Sequence, residues 1–180
     1  GNMAMLADGV LEVIAHHAGV LFGRELLQMV HHGLEGAGAV VVIRVDDGER
    51  FVDQVLGRKD GLHRAQVEAE KKLGIKSALI MCFLRDFQAE YAMATLTQAL
   101  DYKHWIIGVG LDSDETDNAP EKFAEVFARA REEGFLLTMH ADVDIKNSIE
   151  HIRQLIEEIK VDRIDLGTNV IENPDYVQYL

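Results

Sequence analysis

Apolar runs alternate with segments of helical period along most of this chain. Residues 11–32 place apolar side chains at helical spacing, among them Leu26, Leu27 and Val30, and Gly33, Gly36 and Gly38 punctuate the end; the spacing predicts a helix there. Residues 39–45 (AVVVIRV) form a dense β-branched run closed by Asp46-Asp47-Gly48, the composition of a strand and its turn. The same alternation then repeats. Residues 61–73 are charged on one face and predict a helix that leads through Gly74 into a strand over 76–84 (KSALIMCFL). Residues 86–101 space Ala, Met and Leu helically ahead of a third strand over 104–111 (HWIIGVGL). Pro120 suits the first turn of a helix over 120–133, with Phe123, Val126, Phe127 and Ala130 on one face and Gly134 at its end. An apolar run from 135 ends in His140, Asp142 and Asp144. Asn147 or Ser148 can cap a helix over 149–159 whose apolar face is Ile152, Leu155, Ile156 and Ile159. A fifth strand over 161–170 carries Asp165, Leu166 and Gly167 at its tip.

The five predicted strands are continuous apolar runs rather than alternating ones. Such strands are buried on both faces, as in a mostly parallel sheet covered by helices, so the fold class is α/β. A closed eight-stranded barrel takes about 250 residues, more than five units supply. The sheet is therefore expected to be open or completed by a partner, and its uncovered edges predict a homodimer. A length of 180 residues with 48% hydrophobic content fits a single domain over 1–180.

Charge narrows the partners. A formal net charge of -13, from 31 acids against 18 bases, argues against a nucleic acid backbone or an anionic membrane surface. A small molecule or another protein is the expected partner. Cys82 is the single cysteine, which excludes an internal disulfide, and no apolar run approaches the roughly 20 residues of a membrane span. These features predict a cytoplasmic protein. The opening GNMAM lacks the basic and long apolar regions of a signal peptide, and Gly1 reads as a remnant of expression.

Polar chemistry in parallel α/β folds collects at the C-terminal ends of strands, which singles out His140, Asp142 and Asp144. Asp112, Asp114, Glu115 and Asp117 crowd another strand end. They read either as oxygen ligands for a divalent cation or as a solvated acidic loop, and they lack the spacing of an EF-hand. Arg44, Arg85 and Arg163 are placed to pair with Asp46, Asp86 and Asp165. Cys82, inside an apolar strand, reads as a buried small hydrophobe. The pairs His16-His17 and His31-His32 lie about 100° apart on a helix, poorly disposed to share a metal, and read as a solvated face.

Four segments in order, CFLRD (82–86), IIGVGLDSDE (106–115), FAEVFARAREEGFLLTMHA (123–141) and DRIDLGTNVIENPDYVQYL (162–180), resemble the adenosine and adenine deaminases of the amidohydrolase superfamily. The resemblance implies an incomplete TIM-type (β/α) barrel of about five mostly parallel strands. Residues 39–45 resemble the family's second strand and the later runs its third to sixth, while the first, seventh and eighth have no counterpart. It also implies zinc-dependent hydrolytic removal of the 6-amino group from a purine nucleoside or base. The family holds zinc through a His-x-His pair on the first strand, a histidine on the fifth and an aspartate on the eighth; of these, His140 alone matches. The family's fifth-strand motif is His-Ala-Gly-Glu, and here Val143 stands in place of the glutamate that protonates the purine, with Asp144 next to it as the candidate substitute. In the sixth-strand motif Leu166 stands where the family has the histidine that orients the attacking water. The loop after the fourth strand touches the purine in the family, and Ser113 occupies the position of a glycine there. Three readings therefore stand side by side: a purine deaminase, a non-catalytic scaffold or interaction protein of the same lineage, and a metal or small-molecule binding protein that uses His140 with Asp142, Asp144 and the acidic loop in a new arrangement.

Overall fold

The computed structural model describes the side chains of residues 63–74, 76–141 and 148–180, and the backbone alone at 4–7, 10–15, 38–45 and 62. Among the described residues seven strands form one sheet in sequence order: β1 (Ala4–Ala7), β2 (Val10–Ala15), β3 (Gly38–Val45), β4 (Ser77–Leu84), β5 (Ile106–Asp112), β6 (Leu136–Ala141) and β7 (Arg163–Leu166). The pair β1–β2 is antiparallel and every later pair is parallel. Parallel neighbours require crossovers, and from β3 onward described helices lie in them: α1 (Leu62–Leu73), α2 (Ala89–Ala99), α3 (Ala124–Glu132) and α4 (Ser148–Arg153), with α5 (Pro174–Tyr179) following β7. Among the described residues no pairing joins β7 back to β1, so the sheet is an open section of a (β/α) barrel.

Two expectations are corrected at the N-terminal side. Residues 11–15 belong to strand β2, not to a helix, and 16–32 lie outside the described residues. Val13 and Ile14 are β-branched, and β2 is hydrogen-bonded on one side to β1 and on the other to β3. Pairing on both edges outweighs a helical spacing that was drawn mainly from residues further along. The strand count also differs: among the described residues the sheet has β1 and β2 in addition to β3 to β7, the five strands that were expected. The last strand is also shorter than its apolar run. It ends at Leu166, and Thr168–Glu172 turn as a 3-10 helix.

The remaining elements follow their sequence signals closely. The helix expected over 120–133 opens with the 3-10 turn Pro120–Phe123, continues as α3 and stops before Gly134, whose φ of +87° a side chain would strain. The expected helix over 149–159 is α4 followed by a π-helical stretch, Gln154–Ile159, with Lys160 left-handed at its end. Ser148 is the first residue of α4, and its hydroxyl accepts a hydrogen bond from Asn169 Nδ2 at 3.0 Å.

Strand β4 shows why the apolar runs are continuous. Leu79, Met81 and Phe83 enter the core beneath the helices with Leu96, Phe123, Phe127 and Leu155, and Phe83 meets Phe127 edge to face at 6.0 Å. Alternation along the strand sends Ile80 and Cys82 to the other side of the sheet, where they are buried as well. That inner side is crowded enough to demand glycine. A Cβ on Gly110 would lie 2.4 Å from Cys82 Sγ and 3.1 Å from Thr138 Cγ2, and one on Gly108 would lie 2.7 Å from the Leu136 carbonyl oxygen.

Candidate functional site

Four neighbouring elements deliver polar side chains to one end of the sheet. Arg85 follows β4, Asp112 ends β5, Glu115 lies in the loop beyond it, and His140 is the penultimate residue of β6. His151, on α4, joins them. The local sequence explains the convergence. Parallel strands in register end together, so residues just past each apolar run meet at the same rim.

Glu115 is the centre of this cluster. Its side chain is 0% exposed, as is that of Arg85. One carboxylate oxygen lies 3.0 Å from His140 Nε2 and 3.6 Å from an Arg85 terminal nitrogen, and the other lies 3.8 Å from His151 Nδ1. These are close contacts, and neither Glu115 oxygen has an aligned hydrogen bond. His140 is met on its other edge by Asp112 Oδ1, 3.3 Å from Nδ1. Arg85 ties the strands together, donating from a terminal nitrogen to the His140 carbonyl at 2.9 Å, while its backbone N–H donates to the Asp112 carbonyl. Lys122 Nζ closes the set by donating to the Arg85 carbonyl at 3.2 Å.

Beside the buried cluster the loop folds on itself. Ser113 has φ of +81°, a conformation that favours the glycine of the resembling family. Its hydroxyl donates to Asp86 Oδ2 at 2.8 Å, its N–H to Asp112 Oδ1, and the Asp114 N–H to Asp86 Oδ1. Asp114 accepts from the Thr116 N–H, and that hydrogen bond holds its carboxyl below the usual aspartate value. At β7, Asp165 accepts from Thr138 Oγ1 at 2.8 Å and pairs with Arg163 at 2.9 Å.

The structure brings His140 together with Glu115 and Asp112 and sets Ser113 beside them. Asp142, Asp144, Val143, Asp46, His16-His17 and His31-His32 lie outside the described residues, as does the side chain of Arg44. The expected pairing of Arg163 with Asp165 is present. Arg85 contacts Glu115 rather than the expected Asp86, because Asp86 is taken up by Ser113 and Asp114 while Arg85 turns inward under the rim. Cys82 is buried. The acidic loop is not a uniformly solvated one, since Glu115 is wholly enclosed, and among the described residues no group of three or more His, Cys, Asp or Glu is arranged to hold a metal ion. His151 was not singled out by sequence. Its signal was a histidine on the first turns of a helix that follows the His140 strand, which becomes legible only when α4 is laid over the rim.

The adenosine deaminase family profile matches residues 51–180. The chain belongs to the adenosine deaminase family. It is 49% identical over 121 residues to an adenine deaminase of Acinetobacter baylyi, covering 67% of this chain and 36% of that protein. It is 48% identical over 118 residues to an uncharacterized deaminase of Schizosaccharomyces pombe, covering 66% of this chain and 35% of that one. Among solved structures it resembles adenine deaminase from Arthrobacter aurescens with a TM-score of 0.70 at 27% identity, covering 88% of this chain and 50% of the other. The matched region thus spans about a third of the length of these curated relatives.

Proposed function

We propose that this chain carries the purine-deaminase half-site of its family, with an adenine-type base as the ligand and hydrolytic loss of the 6-amino group as the reaction of the lineage. The observation that carries the reading is the 49% identity over 121 residues to a protein named adenine deaminase. Ser113 beside the rim is the proposed contact to the purine, and Asp144 is the proposed acid in place of the family's glutamate. Family resemblance also brings zinc, with His140 as one ligand. The described residues do not fit that metal by themselves: they offer one matching histidine and no set of three ligands, and both ring nitrogens of His140 face carboxylates. No catalytic step is therefore routed through zinc in this chain.

A second reading has its own support. Leu166 has neither donor nor acceptor at the position where the family orients water, and it is half exposed at the end of β7. A scaffold that binds a purine without turning it over accounts for both the family match and this residue. Isothermal calorimetry with adenine and adenosine, beside an ammonia-release assay with added zinc, tests the two together. The expected result is adenine binding without measurable ammonia. Absence of binding to either purine defeats the purine reading, and sustained ammonia release defeats the scaffold.

A further inference from the structure

Ser113 is the residue that the purine reading makes a contact, and the loop around it decides what kind of contact that is. A serine carries two hydrogen-bond donors, its backbone N–H and its hydroxyl, and the hydroxyl oxygen also accepts. Here the N–H donates to Asp112 Oδ1 at 2.9 Å, and the hydroxyl donates to Asp86 Oδ2 at 2.8 Å. Both donors are committed to neighbouring carboxylates. Asp86 is itself fixed, because its other oxygen, Oδ1, accepts the Asp114 N–H at 3.0 Å. An ionised carboxylate only accepts, so it sets the direction of the Ser113 hydroxyl and leaves that oxygen's lone pairs to face a ligand. The same three bonds hold Ser113 at its φ of +81°, a conformation that persists in a residue with a Cβ only where its surroundings over-determine it.

We infer that Asp86 is a positioning residue that makes Ser113 an acceptor toward the ligand, so that the rim takes a purine bearing a ring N–H, the free base, in preference to a nucleoside. The inference rests on the reading of Ser113 as the purine contact and names which purine that contact selects. Adenine carries a mobile N–H on its five-membered ring. In adenosine a sugar carbon replaces that hydrogen, and the ring nitrogens only accept. An acceptor set against an acceptor forfeits the hydrogen bond and discriminates against the wrong ligand. Asp86 acts through Ser113, by fixing which way its hydroxyl points.

The test titrates adenine and 9-methyladenine, which keeps the ring system and the 6-amino group but lacks the ring N–H, into the full chain and its D86N and S113A variants by isothermal calorimetry. The unsubstituted chain is expected to bind adenine more tightly. In D86N the amide oxygen takes the Asp114 N–H, which puts the amide nitrogen, a donor, against the Ser113 oxygen and releases the hydroxyl proton. The preference for adenine over 9-methyladenine is expected to fall about fivefold in D86N and in S113A, the scale of one hydrogen bond between neutral groups. The bulk of the methyl group is common to all three proteins and cancels from that comparison. A substitution that merely loosens the loop weakens both ligands alike and leaves the preference where it was. Asp86 is exposed, so D86N is expected to fold, as circular dichroism will report; should it not, the preference in S113A decides. Purine binding with an unchanged preference overturns the inference and leaves the purine reading standing, whereas absence of binding to the unsubstituted chain overturns both.

Discussion

Leu166 is in a backbone conformation that leucine rarely adopts. Its φ is +70°, and Gly167 follows at +65°. Left-handed geometry costs an L-residue with a Cβ about 1–2 kcal/mol, less for Asn, Asp or His, whose short polar side chains bond locally. Because Leu166 is 52% exposed, little packing offsets that cost. L166N is therefore expected to stabilise the protein by about 0.5–1 kcal/mol, read as a higher urea midpoint at unchanged slope. L166H combined with V143E is expected to leave ammonia release from adenosine near background, since neither change supplies the other family ligands; robust turnover in that variant sinks the argument. Asp114 makes a prediction of opposite kind. Its folded pKa is lowered by the Thr116 N–H, so the stability it contributes is present above the ordinary value of 3.8 and is lost as pH falls through the lower folded value. A carboxyl carbon titration by NMR should place its midpoint below 3.8.

At the scale of elements, the tight inner face of β5 is the clearest target. G110A drives a methyl into Cys82 Sγ and Thr138, and overpacking of this kind costs about 1–3 kcal/mol. Adding C82A removes the nearest obstacle, so the double variant is expected to recover part of the loss, a non-additivity measurable by thermal unfolding. Most of these elements were legible in the sequence because each combines an apolar run with a stop: Gly74 after α1, Gly134 after α3, Pro120 before it. Strand β2 was not legible, since helical spacing further along residues 11–32 overshadowed a short β-branched stretch whose pairing partners lie elsewhere. The site was legible in part for the same reason. His140 stands at the end of its own run, whereas the burial of Glu115 depends on Arg85, His140 and His151 arriving from three other elements. No local pattern around Asp112–Asp117 distinguishes the enclosed Glu115 from the part-buried Asp112 and the exposed Asp114 and Asp117.

Taken as one molecule, the chain is a section of barrel with strands at both margins of its sheet. Among the described residues strand β7 pairs on one side only and ends at the exposed Leu166, with the exposed Ile171, Val177 and Tyr179 following in sequence. Edges of this sort invite pairing. Light scattering of the purified chain is expected to give a dimer, and a stable monomer at micromolar concentration would remove that expectation. No helix among the described residues is long and apolar enough to cross a membrane. The buried Arg85 contact carries a consequence for time rather than for energy. Backbone at a strand end, next to an exposed loop, is ordinarily among the first parts of a protein to trade its amide protons with water. Here the Arg85 N–H is bonded to the Asp112 carbonyl, and the guanidinium spans from Glu115 to the His140 carbonyl. The Arg85 amide should therefore exchange on the slow clock of the strands it joins, opening only when β4 and β5 part.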